Sequence, residues 1–184
     1  PSSFSTYGKK EDWLFKFLEF SKKVDCEPDF INIHYYDIDL SYADKWDEKE
    51  NTIFLSPDPD SFSKFIKRLL KRLADYGFEN KKIYLSEWNS TVSHKDLMND
   101  TCFKASYLAK NILENYDRLD SYGYWLLSDF HGENYLPYQT FHGGLGLFSY
   151  NGIKKPGYFV FKMLNKLGDY LIHKEPGVFI SRDR

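Results

Sequence analysis

The stretch "IYLSEWNS", Ile83 to Ser90, opens as a buried strand and closes on a carboxylate, an indole and an amide. Its first residues are β-branched, aromatic or aliphatic, the composition of a strand covered on both faces. Side chains alternate along a strand, so Ile83, Leu85 and Glu87 are expected on one face, with Glu87 at the C-terminal mouth. A carboxylate buried there without partners would be driven neutral, because desolvation penalises its charged form. Something must donate to it. Another strand-like run, "DFINIHYY", covers about Asp29 to Tyr35 and brings His34, Tyr35 and Tyr36 to its end. His34 or Tyr36 can supply that donor.

The pattern extends outward from these two runs. "EDWLFKFLEFSKKV" puts Trp13, Leu14, Phe17 and Leu18 at helical spacing and predicts a helix ending near Asp25. Between the strands, "SPDPDSFSKFIKRLLKRLADYG" predicts a helix capped by Ser56 or Asp58 and ended by Gly77. Phe62, Phe65, Ile66, Leu69, Leu70 and Leu73 form its apolar stripe. The interleaved Lys64, Lys67, Arg68, Lys71 and Arg72 fall on the solvated side and are not read as a nucleic-acid patch. Beyond Ser90, "MNDTCFKASYLAKNILENYDRL" predicts a helix capped near Asn99 or Asp100. "SYGYWLLSD" predicts a third strand and "KPGYFVFKMLNKLG" a fourth helix. The tail "DYLIHKEPGVFISRDR" predicts two short strands around Pro176-Gly177. The long polar loop "DIDLSYADKWDEKENTIFLS" is of a length that tends to be functional.

Strands alternating with helices imply parallel pairing, in a doubly wound sheet or part of a (β/α)₈ barrel. Both architectures bind ligands at the C-terminal ends of their strands. The first strand ends in His34, Tyr35 and Tyr36, the second in Glu87, Trp88 and Asn89. The third brings Trp125, Ser128 and Asp129, with His131 and Glu133 close behind. Several strands delivering such groups to one rim point to a functional site there.

Other chemistries lack their signatures. His34, Asp129, His131, Glu133 and His142 show no HExxH or paired-cysteine spacing, so neither a metal nor a cofactor is expected. "HGGLGLF" lacks the Lys-Ser/Thr of a phosphate loop, and its glycines are read as allowing tight backbone near a ligand or a bend. No G-x-S-x-G elbow occurs. A net charge of -2 gives no footprint for a polyanion, so no nucleic-acid partner is expected through this segment. Aromatic residues are 19% of the chain; most fill a core, but rings also stack on the apolar faces of sugars. Cys26 and Cys102 read as reduced thiols of a cytoplasmic protein. No apolar run reaches the roughly 20 residues that span a bilayer, so no membrane partner is expected. The start at Pro1, without an initiator Met, leads us to expect a piece of something longer.

In order, "DFINIHYY", "IYLSEWNS", "YGYWLLSDFHGE", "FHGGLGLF" and "NGIKKPGYFVFKMLNKLG" resemble the corresponding blocks of glycoside hydrolase family 39, which includes β-xylosidases and an iduronidase on a (β/α)₈ barrel. The resemblance runs through nearly the whole chain. It implies a retaining sugar site in which Glu87 is the nucleophile and His34 and Tyr36 contact the sugar or the nucleophile. It also implies that Trp125 lines the sugar subsite, that Asn89, Asp129 and Glu133 bind the sugar, and that Phe141 and His142 close the rim. A retaining enzyme needs a second carboxylate about 5–5.5 Å from the nucleophile. In the family this general acid is a Glu following an Asn on an earlier strand, and this chain has no Asn-Glu dipeptide.

By that pattern the chain opens just past the fifth strand. It would hold strands six to eight in residues 1–168, and a β tail, 169–184, opening an accessory region. A whole barrel takes about 250 residues, more than the 184 present. Two expectations follow. The piece alone should not hydrolyse glycosides by the family's mechanism, and its unpaired strand edges should favour self-association. "FLSPDPDSF", "YLSEWNST" and "NDTCFKASYLAKNIL" are also similar to the glycosidase-like region of AraC-type bacterial transcription regulators. That resemblance implies a sugar sensor, with a DNA-binding domain upstream.

Overall fold

In the computed structural model, residues 11–37, 56–130 and 139–184 are described, apart from the side chains of residues 11 and 12. The long loop after Asp37, and His131 and Glu133, lie outside them. Elements follow the predicted order: α1 (Glu11–Lys23), β1 (Phe30–Tyr36), α2 (Ser61–Asp75), β2 (Lys82–Asn89), α3 (Cys102–Asn115), β3 (Ser121–Tyr124), α4 (Pro156–Leu164), β4 (Tyr170–Glu175) and β5 (Val178–Arg182). They divide into two compact units. One holds residues up to Val92 together with Asp117–Trp125; the other holds Ser93–Tyr116 with Leu126–Arg184.

In the first unit, β1, β2 and β3 lie side by side in that order, and both pairings are parallel. The α2 stripe explains why the sheet is covered. Phe62, Phe65, Ile66, Leu69 and Leu73 are buried, while Lys64, Lys67, Arg68 and Lys71 stay in water. Ile31, Ile33 and Tyr35 of β1 and Ile83, Leu85 and Trp88 of β2 are buried as well. Phe62 is the junction: its ring lies 5.0 Å from Tyr35 and stacks at 5.1 Å on Trp88. Truncating such a ring typically costs about 3–5 kcal/mol. The helix begins after Asp60, with no side-chain cap, rather than at Ser56 or Asp58. Asp58 instead accepts from the Asp60 N–H, and the helix ends just before Gly77, at φ 76°.

In the second unit a 3₁₀ turn over Leu97–Asp100 precedes α3, and Thr101, not Asn99 or Asp100, caps the helix by accepting from the Phe103 N–H. α3 packs against α4. β4 and β5 pair antiparallel across the turn at Pro176-Gly177, as expected. The expected third strand is shorter than "SYGYWLLSD": beyond Tyr124 the carbonyls of Leu126 and Leu127 accept from Leu147 and Phe148 instead of continuing the sheet. Among the described residues no helix is long and apolar enough to cross a membrane.

Candidate active site

The alternation expected for "IYLSEWNS" breaks at one residue. Along β1 and β2 the partners run Ile31 with Ile83, Asn32 with Tyr84 and Ile33 with Leu85, and then His34 with Glu87. Ser86 is the extra residue of a β-bulge, a device that re-aims a side chain by adding a residue to one strand. Glu87 therefore does not share the face of Ile83 and Leu85. That face continues through Trp88, which is fully buried against Phe62. On the opposite face, Glu87 joins His34 and Tyr36. The correction has a plain reason: a carboxylate on the Leu85 face would sit dry among the rings of α2, and the bulge moves it to a half-exposed setting.

There the geometry is compact. The Tyr36 hydroxyl donates to Glu87 Oε2 at 3.0 Å, and His34 Nδ1 lies 3.1 Å from the same oxygen. The His34 and Glu87 side chains are 25% and 28% exposed, so the pair is shielded yet reachable from solvent. Both contacts fall on Oε2; among the described residues Oε1 takes none. The Tyr36 hydrogen bond orients the carboxylate, with the His34 imidazole within ion-pair distance of the same oxygen.

Supports surround this triplet. Asn89, expected to bind the sugar, is fully buried: its side-chain amide donates to the Trp125 carbonyl, and its Oδ1 accepts from the Ser90 N–H at 2.7 Å. The Trp125 N–H donates to the Trp88 carbonyl at 3.2 Å, so Trp125 is tied to the end of β2 through its backbone at both ends. Asp37, which the sequence reading passed over, is also buried. Its Oδ1 accepts from Ser61 Oγ at 2.6 Å and from the Tyr35 hydroxyl at 3.2 Å, and its N–H donates to the Asn89 carbonyl at 3.2 Å. Burial, reinforced by the Asp37 charge, holds the Tyr35 hydroxyl protonated well beyond the usual tyrosine range. His34, Tyr36, Glu87, Asn89 and Trp125 thus belong to the first unit.

Asp129, Phe141 and His142 belong to the second unit, and Glu133 lies outside the described residues. Asp129, expected as a sugar contact, is buried inside an ionic network. Its Oδ1 accepts from the Gly146 N–H at 2.6 Å, and its Oδ2 pairs with Lys155 Nζ at 2.9 Å. Lys155 also reaches Asp100 Oδ1 at 2.6 Å and the Gly144 carbonyl at 2.7 Å. A Cβ on Gly144 would fall 2.3 Å from Asp129 Oδ1, so this glycine of "HGGLGLF" admits the chain's own carboxylate. Phe141 is exposed. His142 is buried, with Nδ1 2.9 Å from the Gln139 carbonyl, and its buried Nε2 has no hydrogen-bond partner among the described residues. Lys155 and Asp100 had no local signal, because their partners are distant in sequence. The bulge did have one: a glycine inside a strand, Gly123 in "SYGYW", often marks a bulge or a close backbone approach.

Comparison with known proteins places the chain in a family. The family model of glycosyl hydrolases family 39 matches residues 5–181. A β-xylosidase of Geobacillus stearothermophilus is 28% identical over 175 residues, covering 95% of this chain and 34% of its own length. The structure of a monomeric β-xylosidase from Caulobacter crescentus superposes with a TM-score of 0.82 at 27% identity, covering 97% of this chain and 35% of its own. An uncharacterised HTH-type transcriptional regulator of Staphylococcus aureus is 26% identical over 102 residues, covering 55% of this chain and 14% of its own. The chain therefore spans about a third of the length of the β-xylosidases it matches. Its parallel strands and intervening helices are part of a (β/α)₈ barrel, followed by a C-terminal hairpin. With the model spanning nearly every residue, the chain belongs to glycosyl hydrolase family 39.

Proposed function

We propose that this chain carries the nucleophile side of a retaining, β-xylosidase-type sugar site, with Glu87 as the nucleophile. The observation that carries the reading is the convergence of His34 and Tyr36 on Glu87 Oε2 at the ends of parallel strands. On this reading Oε1 attacks the anomeric carbon as the bond to the leaving-group oxygen breaks. A second carboxyl group, supplied from outside this chain, protonates that oxygen; water then releases the sugar with retained configuration. His34 and Tyr36 hold the carboxylate in line. Trp125 lines the subsite, and Asn89 acts from behind as a support. The 184 residues alone would be inactive. Residues 1–168 are read as the barrel portion and 169–184 as the opening of an accessory β region. The exposed free thiols of Cys26 and Cys102 suit a cytoplasmic, reducing setting.

The test uses the intact protein that carries this chain, assayed on aryl β-xylosides. Glu87→Gln should lower kcat by several orders of magnitude, as removal of a covalent nucleophile does. Undiminished turnover would remove Glu87 from the role. A second reading, a sugar-sensing domain of an AraC-type regulator that binds without cleaving, is favoured by the match to the Staphylococcus aureus regulator. Calorimetry of xylo-oligosaccharides with the intact protein separates the two: binding without turnover supports the sensor.

A further inference from the structure

We propose that Gly123 is a positioning residue for Glu87, acting through the bulge at Ser86; the catalytic consequence, though not the geometry, rests on the glycosidase reading above. The bulge registers on both neighbours of β2. Against β3, Leu85 partners Tyr122 and Trp88 partners Tyr124, so Ser86 and Glu87 together face Gly123 alone. An extra residue on the middle strand pushes its backbone toward the adjoining strand, and here it arrives at a position without a side chain. A Cβ built on Gly123 would lie 2.5 Å from the Ser86 carbonyl oxygen, 3.0 Å from its carbon and 3.2 Å from its Cα. Those are backbone atoms, which cannot swing aside as the tip of a flexible side chain can. Gly123 is not among the residues of positive φ, so the close approach, and not the backbone angle, calls for glycine. The missing methyl admits the Ser86 carbonyl, the carbonyl admits the bulge, and the bulge turns Glu87 away from the Leu85 face toward His34 and Tyr36. Gly123 touches neither ligand nor carboxylate; it sets the carboxylate's aim.

The same register supplies a rescue. Deleting Ser86 would leave Leu85 opposite Ile33 and Tyr122, and Glu87 opposite His34 and residue 123, in unbroken alternation. The carbonyl that meets the new Cβ would be gone, and Glu87 would keep its face. The experiment therefore compares Gly123→Ala with the double variant that also lacks Ser86. The first measurement is the ring resonances of His34 by NMR in the intact protein that carries this chain, with selective His labelling, recorded with and without Glu87→Gln. In the parent chain Glu87→Gln should shift them. In Gly123→Ala it should leave them nearly unmoved, and in the double variant the shift should return. In the intact protein, Gly123→Ala should lower kcat roughly 10- to 100-fold, the order expected of an ångström-scale misplacement, with KM changed much less, and the deletion should restore most of the loss.

A Gly123→Ala chain that keeps both the Glu87-dependent shift and its kcat overturns the proposal. If Gly123→Ala does not fold, the double variant decides: a folded double variant with the shift restored supports the proposal. One that fails to fold, or folds without the shift, overturns it. The NMR measurement uses no turnover. Full hydrolysis by Glu87→Gln would sink the glycosidase reading and leave this test standing.

Discussion

Glu87 takes a hydrogen bond on one oxygen from the Tyr36 phenol at 3.0 Å, and the His34 imidazole lies 3.1 Å from that same oxygen. Hydrogen bonds to a charged group are worth roughly 1.5–3 kcal/mol. Tyr36→Phe removes one donor without opening much space and frees the carboxylate to rotate. On the proposed role, kcat/KM of the intact protein on aryl β-xylosides should fall roughly 10- to 100-fold, most of it in kcat. An unchanged value would take Tyr36 out of the site. The residue types at this site were legible in the sequence, because strand ends that carry His, Tyr and Glu together are uncommon except where chemistry is done. The face was not. Strict alternation predicts Glu87 beside Ile83 and Leu85, and a one-residue bulge reverses that. The reversal depends on the Ser86 carbonyl meeting Gly123, 37 positions later; a strand glycine signals such a close approach but does not say which strand it will meet.

At the scale of elements, the helices and strands that the periodicity predicts are the ones that form. Their stripes are long, and the breaks between them carry Gly, Pro and Asp. The less legible features are those fixed by distant partners, such as the early end of β3 and the ionic network under α4. α3 shows why. Lys104 lies on its buried side, 1% exposed, where a helical wheel would place a hydrophobe. Burial, helped by the positive charge of Lys155 and opposed by Asp96 and Asp100, pulls its ammonium down to about 7. An ordinary lysine titrates near 10.4. Between those values the unfolded chain holds a proton that the folded chain has released, so stability rises with pH there. Below about 7 both states are protonated, and the full cost of burying the charge is felt. Lys104→Met, close in volume and uncharged, should therefore be more stable than the parent at pH 6. Its advantage should shrink by roughly 1.4 kcal/mol for each pH unit between about 7 and 10. Urea unfolding of both chains at pH 6 and pH 9 reads the difference. A variant less stable at pH 6, or an advantage that does not change with pH, would contradict it.

For the molecule as a whole, the three-stranded sheet has two outer edges: among the described residues β1 pairs only with β2, and β3 only with β2. Unpaired strand edges are templates for further pairing. The β1 edge has apolar surroundings as well. Trp13, Phe17, Pro28 and Phe30 line a groove of about 560 Å³ that reaches Asn32, whose buried Oδ1 has no hydrogen-bond partner among the described residues. Trp13 is 55% exposed and Phe30 53%, more apolar ring surface than an isolated soluble chain keeps in water without cost. We propose that a second copy of the chain covers this edge when it is expressed alone, and the prediction concerns that chain only. Light scattering over a concentration series should give a mass that rises above 21.9 kDa. Phe30→Lys together with Trp13→Arg, which place charge on the edge as natural sheets do, should shift the mass back toward the monomer. Neither position takes part in the ring contacts of Phe62, so unfolding does not stand in for dissociation if the circular dichroism of the variant matches the parent. A parent chain that scatters as a monomer up to the highest concentration reached would show that the open edge is protected without a partner.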